Sequence, residues 1–104
     1  MSEIEELTYS IREFAKRRGW EKFHTPKNLA MAITGEAGEL AAEFQWLSTE
    51  EVTNISNLPV EKIELEIADI AIYLLRICDV LNVNFAEAVR KKMELNESRF
   101  PPSK

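Results

Sequence analysis

The sequence is poor in residues that build special chemistry or special backbone: one cysteine, one histidine, three glycines and four prolines in 104 residues. The lone Cys78 excludes an internal disulfide and a multi-thiolate metal site. No Gly-rich loop is present to cradle phosphate, and no Ser/Cys–His constellation suggests a protein nucleophile. No apolar run approaches the about 18 residues that span a bilayer, and the acidic opening Met1-Ser2-Glu3-Ile4-Glu5-Glu6 lacks a signal-peptide core. Basic residues are in deficit, 13 against 18 acidic, for a net charge of -5. That balance argues against general nucleic-acid binding, which needs a basic face to displace counterions. Apolar residues at 45% and charged residues at 30% exclude a disordered chain. The expected setting is cytoplasmic and reduced, with one domain over 1–104 and neither nucleic acid nor membrane as partner. A chain of about 100 residues buries only some two-thirds of its unfolded surface, so association with further copies is expected.

What is present is helical periodicity almost throughout. Ser2-Glu3-Ile4-Glu5 has the pattern of a capping box, and Ile4, Leu7, Ile11 and Phe14 mark one face of a first helix. Gly19 suits the left-handed position past its end. Thr25-Pro26 reads as the cap and first position of a second helix running to about Leu47, with Ser48-Thr49-Glu50-Glu51 capping a short turn after it. A third helix is expected from about Pro59 to Leu81, with Ile63, Ile67, Ile70, Leu74, Ile77 and Leu81 on its face. Asn84 caps a fourth, running to about Glu97 before Pro101-Pro102. No stretch alternates with period two. The fold class is all-α, a bundle of about four main helices that assembles into a larger bundle by oligomerisation.

The acids have a pattern of their own. At 100° per residue from Glu36, Leu29, Ile33, Leu40, Phe44 and Leu47 project between about +20° and +80°, Glu39 near -60° and Glu43 near -20°. From Glu66, Ile63, Ile70, Leu74, Ile77 and Leu81 cover the same arc, with Asp69 near -60° and Tyr73 near -20°. Each of two helices thus sets an acid pair at i and i+3 beside a face that must be buried. Packing them together gathers four carboxylates, and leaving such ions unpaired costs several kcal/mol each. Lys62 and Arg76 are expected to project away from these edges, so a cation is the economical counter-charge. An all-oxygen donor set suits Mg²⁺, or Mn²⁺. A di-iron bundle would need two Glu-x-x-His pairs, and the single His24 lies in a loop.

Several stretches together resemble a known family. They are Trp20-Glu21-Lys22-Phe23-His24-Thr25-Pro26-Lys27-Asn28-Leu29, Gly35-Glu36-Ala37-Gly38-Glu39-Leu40 and Phe44-Gln45-Trp46. Glu66-Ile67-Ala68-Asp69-Ile70-Ala71-Ile72-Tyr73-Leu74 and Lys92-Met93-Glu94-Leu95-Asn96 with Arg99-Phe100-Pro101 continue the set. In this order they resemble the MazG-like all-α nucleoside triphosphate pyrophosphatases, and within them the dCTP pyrophosphatase branch. The resemblance implies helical subunits in a homodimer or homotetramer with sites at subunit interfaces. It also implies Mg²⁺-dependent hydrolysis of a nucleoside triphosphate to monophosphate and pyrophosphate, which clears surplus or non-standard nucleotides. Glu36, Glu39, Glu66 and Asp69 match the catalytic metal ligands. Lys92, Asn96 and Arg99 match a phosphate-contacting motif and share one face of the fourth helix at i, i+4 and i+7. Trp20, His24, Asn28, Trp46 and Tyr73 are candidates for the nucleoside pocket, where aromatic faces stack on a base.

Two departures bear on substrate. Ile11 stands where some dCTP-cleaving relatives carry a histidine near the base, and Glu43 is an additional acid. The ends are also short, leaving little to close over a nucleotide. The reaction class survives these differences, while the base does not follow from them. Two alternatives stay open: a helical oligomerisation module that binds nucleotide and metal without cleavage, and a pyrophosphohydrolase of another phosphorylated compound.

Overall fold

The computed structural model describes residues 1–103, and all regular structure among them is helical. Five α-helices occur: α1 (Glu3–Arg17), α2 (Pro26–Ala42), a short α3 (Thr49–Thr53), α4 (Val60–Val80) and α5 (Phe85–Arg99). Single 3₁₀ turns precede α2, at Glu21–Phe23, and α4, at Ile55–Asn57.

Local chemistry sets the boundaries. Ser2, Thr25, Ser48 and Asn84 each accept a bond from a backbone N–H of the following first turn. The reciprocal capping box expected at Ser2 forms instead at Ser48, where Glu51 also reaches back to the Ser48 N–H at 3.0 Å. At the N-terminus Glu5 turns to the Ser2 hydroxyl, so only half the box is made. Gly19 takes φ +66° as expected, with Trp20 N–H bonded to Ala15 C=O and Gly19 N–H to Lys16 C=O. Asn82 repeats that Schellman geometry at the end of α4, at φ +56°, with Val83 bonded back to Cys78 and Asn82 to Asp79. Helix α2 stops at Ala42, short of Leu47. Glu43 and Phe44 bond back only three residues, to Leu40 and Ala41, and tighten the end into turns.

Helix α4 is central, packed along α2 on one side and against α1 on another. The apolar stripe of α2 is as expected, with Leu29 buried and Ile33, Leu40, Phe44 and Leu47 half-buried. On α1 the inward face is Ile4, Thr8, Ile11 and Ala15, while Leu7 and Phe14 stay exposed. Phe14 instead carries the Arg18 guanidinium 3.4 Å from its ring centre and meets Trp20 in a T-shaped pair with ring centroids 5.7 Å apart. On α4, Ile63, Ile70, Leu74 and Ile77 are half-buried, but Ile67 and Leu81 are exposed. The buried Leu75 lies opposite Glu66 on the wheel, where it lines a crevice with Ile4 and Thr8 of α1.

Helix α5 makes no extensive contact with another element. The chain is accordingly open. Its radius of gyration is 16.8 Å, against about 13 Å for a compact chain of this length. Its accessible surface is 8366 Å², against about 6,000 Å² for a folded monomer of this mass.

Candidate functional site

The tightest convergence of acids lies where α2 and α4 pack. Glu36 and Glu39 sit one turn apart on α2, and Glu66 meets them from α4. One carboxylate oxygen from each lies within 4.8 Å of the others. Glu36 and Glu66 are half-buried and Glu39 is exposed. The Oε2 atoms of Glu36 and Glu66 are shut off from solvent and have no hydrogen-bond partner. Buried polar atoms without partners are uncommon in folded proteins and call for an explanation.

Electrostatics sharpens the point. Burial pushes the Glu36 carboxyl up from its ordinary range, and the neighbouring Glu39 and Asp69 charges add to this. Burial, then Glu39, Glu36 and Asp69, do the same to Glu66. No base appears among the causes for either group. Asp69 repels both acids, yet its oxygens do not join the three that converge.

A divalent cation fits this donor set. The oxygens are hard, two are orphaned, and the net charge is negative. Three carboxylate oxygens within 4.8 Å of one another could converge on one ion if their side chains drew together.

The other expected residues are distributed unevenly. Trp20 and His24 form one group, ring centroids 6.1 Å apart, in the turn before α2. The Asn28 side chain donates to the Phe23 carbonyl at 2.9 Å, so its amide ties that turn to the start of α2. Tyr73 is half-buried on α4, one turn beyond Asp69. Trp46 stands 87% exposed in the connection after α2. Lys92, Asn96 and Arg99 follow α5, which stands off the α2–α4 pair. Within the chain neither Lys92 nor Arg99 is among the charges that act on Glu36 or Glu66. Arg99 lies 5.0 Å from the Phe100 ring centre, and Asn96 is half-buried.

Arg76 corrects the sequence reading. It does not project away from the acid edge: it sits seven residues beyond Asp69, on the same line of α4 and about 10 Å along it. It does not neutralise the acids either, because it is consumed elsewhere. Its Nε–H donates to His24 Nδ1 at 3.0 Å and a terminal N–H to Asp79 Oδ2 at 2.9 Å. Arg12 of α1 grips the same Asp79 with both arms of its fork, at 2.8 and 2.6 Å. The chain Arg12–Asp79–Arg76–His24 therefore joins α1, α4 and the loop before α2. The i, i+3 spacing of Arg76 and Asp79 is its one visible sign in the sequence.

Fold and site together define an all-helical protein with a cluster of carboxylates at a helix–helix seam that could hold a metal ion. No family profile matches the sequence. Similar proteins are nevertheless evident. The Mus musculus protein named dCTP pyrophosphatase 1 is 40% identical over 100 residues, covering 94% of this chain and 59% of the relative. The Homo sapiens protein of that name is 39% identical with the same coverage. The chain thus spans about three-fifths of the length of these curated relatives. The crystal structure of a pyrophosphatase from Archaeoglobus fulgidus superposes with a TM-score of 0.90 at 47% identity, over 98% of this chain and 95% of that one. The chain belongs to the MazG-like all-α nucleoside triphosphate pyrophosphatase superfamily.

Proposed function

We propose that the protein is a Mg²⁺-dependent pyrophosphohydrolase that cleaves a (deoxy)nucleoside triphosphate to the monophosphate and pyrophosphate. The substrate we favour is dCTP or a related or modified pyrimidine nucleotide, removed from the cytoplasmic pool. The observation that carries this reading is the pair of orphaned, enclosed carboxylate oxygens on Glu36 and Glu66. An acidic pocket accepts a polyanion only through a bridging cation, and these atoms are what such a cation would bind. The name of the relatives, dCTP pyrophosphatase, supports the substrate class.

A divalent cation bound there would supply charge neutralisation at the phosphates and a lowered pKa for the attacking water. The protein's own part is positioning. Glu36, Glu66 and the nearby Asp69 are fixed on two packed helices, and Glu39, the exposed member of the convergent three, is suited to orient water. Water then attacks the α-phosphorus, the bond from that phosphorus to the bridging oxygen breaks, and pyrophosphate leaves. Such a reaction asks for alignment and charge stabilisation more than for a protein nucleophile. Trp20, His24, Tyr73 and Trp46 are assigned to the base and sugar, and Lys92, Asn96 and Arg99 to the phosphates. The last three reach the acids only if a second copy supplies them.

A homo-oligomer is therefore part of the reading. It is supported by the roughly 2,400 Å² of surface beyond that of a compact monomer. Exposed Leu65 and Ile72, which flank the Asp69 edge of α4, and exposed Val89 and Met93 on α5 support it further. Pyrophosphate release from a panel of canonical and modified nucleoside triphosphates, with Mg²⁺ and with chelator, tests the proposal. Metal-dependent release from pyrimidine nucleotides is expected. Silence across the panel from folded, oligomeric protein would refute catalysis on nucleoside triphosphates.

A further inference from the structure

The buried Arg76 and its partners have no part in the cation site, and their geometry bears on recognition of the base. Arginine carries only donors and keeps its proton in proteins. A Nε–H aimed at His24 Nδ1 from 3.0 Å therefore requires that nitrogen to present its lone pair. A neutral imidazole whose Nδ1 accepts must carry its proton on Nε2. The guanidinium is not free to turn away. Its side chain is only 7% exposed, and Asp79, itself held by the Arg12 fork, fixes its other arm.

We infer that Arg76 and Asp79 are positioning residues that lock His24 as the Nε2–H tautomer, so that the nucleoside pocket presents a fixed donor beside Trp20 and selects a base with an acceptor at that edge. The recognised feature is a carbonyl oxygen or an unprotonated ring nitrogen. A base edge that offers only an amino group leaves the donor unmatched. The specificity half of this inference rests on the pocket assigned above, whereas the tautomer half does not. Burial and the facing Arg76 charge both hold the imidazole below its ordinary range, which keeps it neutral. The charged groups along this contact are Arg76 of α4 and, behind it, Asp79 of α4 and Arg12 of α1.

His24 is the only histidine, so its ring nitrogens give unambiguous signals in a ¹⁵N NMR titration of the whole protein. The expected result is an unprotonated Nδ1, a protonated Nε2 and a midpoint below about 6.5. A protonated Nδ1, a mixture of tautomers or a midpoint at or above that value in the wild type overturns the lock. Arg76→Met removes the donor while Asp79 keeps Arg12, and should release the tautomer and raise the midpoint. Arg76→Lys, which still offers donors, should retain the tautomer. On a pyrimidine triphosphate that the wild type hydrolyses, Arg76→Met should raise KM roughly three- to tenfold, the loss of one net hydrogen bond, with kcat within about twofold. A locked wild-type tautomer with KM unchanged in folded Arg76→Met overturns the specificity role. Failure of the proposed function looks different, since the wild type itself would then hydrolyse nothing.

Discussion

Removing the Asp79 carboxylate is the most informative single perturbation of this fold. In Asp79→Ala, Arg76 would keep its Nε contact with His24 but lose its counter-ion, while its side chain stays 7% exposed. Stranding a buried charge costs about 3–5 kcal/mol when the site is dry. Here Asp79 is 14% exposed and Arg12 45% exposed, so water screens part of the interaction. The half-exposed Arg12 arm adds less than about 1 kcal/mol. We therefore expect a loss of about 2–3 kcal/mol. For a chain of this size that lowers Tm by roughly 10–20 °C. The sign with pH follows from the carboxyl itself. The Arg12 hydrogen bonds, reinforced by the Arg12 and Arg76 charges, hold it below the ordinary carboxylate range, although burial works the other way. Its contribution is fully present above the unfolded value of about 3.9 and is lost as pH falls through the folded one. Calorimetry of wild type and variant at one protein concentration should show a gap that is constant from neutral pH to about 5 and narrows as pH falls below about 4. A loss under about 0.5 kcal/mol at neutral pH, or a gap that does not narrow as pH falls below about 4, would refute the claim that this network bridges α1 and α4.

The remaining expectations concern the site and its assembly. Glu36→Gln and Glu66→Gln should stay folded and lose the rise in Tm that Mg²⁺ gives the wild type, about 2.7 kcal/mol at a hundredfold excess over Kd. In chelator the raised Glu36 and Glu66 values mean that their favourable contribution exists below the ordinary 4.5 and is lost as pH rises through the folded values. Wild-type Tm should therefore fall over that window, and each Gln variant should fall less; equal slopes would count against a strained acid cluster. Trp46→Ala should leave stability within about 0.5 kcal/mol, because the side chain is 87% exposed, while raising KM for nucleotide; an unchanged KM would remove Trp46 from the pocket. Sedimentation should give a mass that is a multiple of 12.0 kDa, shifted toward one copy by Leu65→Asp or Met93→Asp. A wild type that sediments as one copy would mean that α5 cannot serve the acids of a neighbour.

Much of the local architecture was written in short-range signals. The Thr25-Pro26 start, the Gly19 stop and the Asn84 cap each depend on a few adjacent residues, so sequence alone determined them. So did the i, i+3 acid pairs, since helical spacing places Glu36 with Glu39 and Glu66 with Asp69 whatever surrounds them. What a residue faces across a gap is a different matter. Whether Ser2 or Ser48 completes a capping box turns on how one glutamate side chain swings. Leu7, Phe14 and Ile67 have the right periodicity for burial, yet they stay exposed, whereas Ala15 of α1 and Leu75 of α4 are buried. Only the tertiary structure decided that three acids converge and Asp69 stays just outside them. It alone showed that Arg76, on the acid line of α4, is spent on His24 and Asp79. The reason is physical: spacing along a helix is set by bonds between near neighbours, whereas the choice of partner for a charge 52 or 67 residues away is set by which helices pack together.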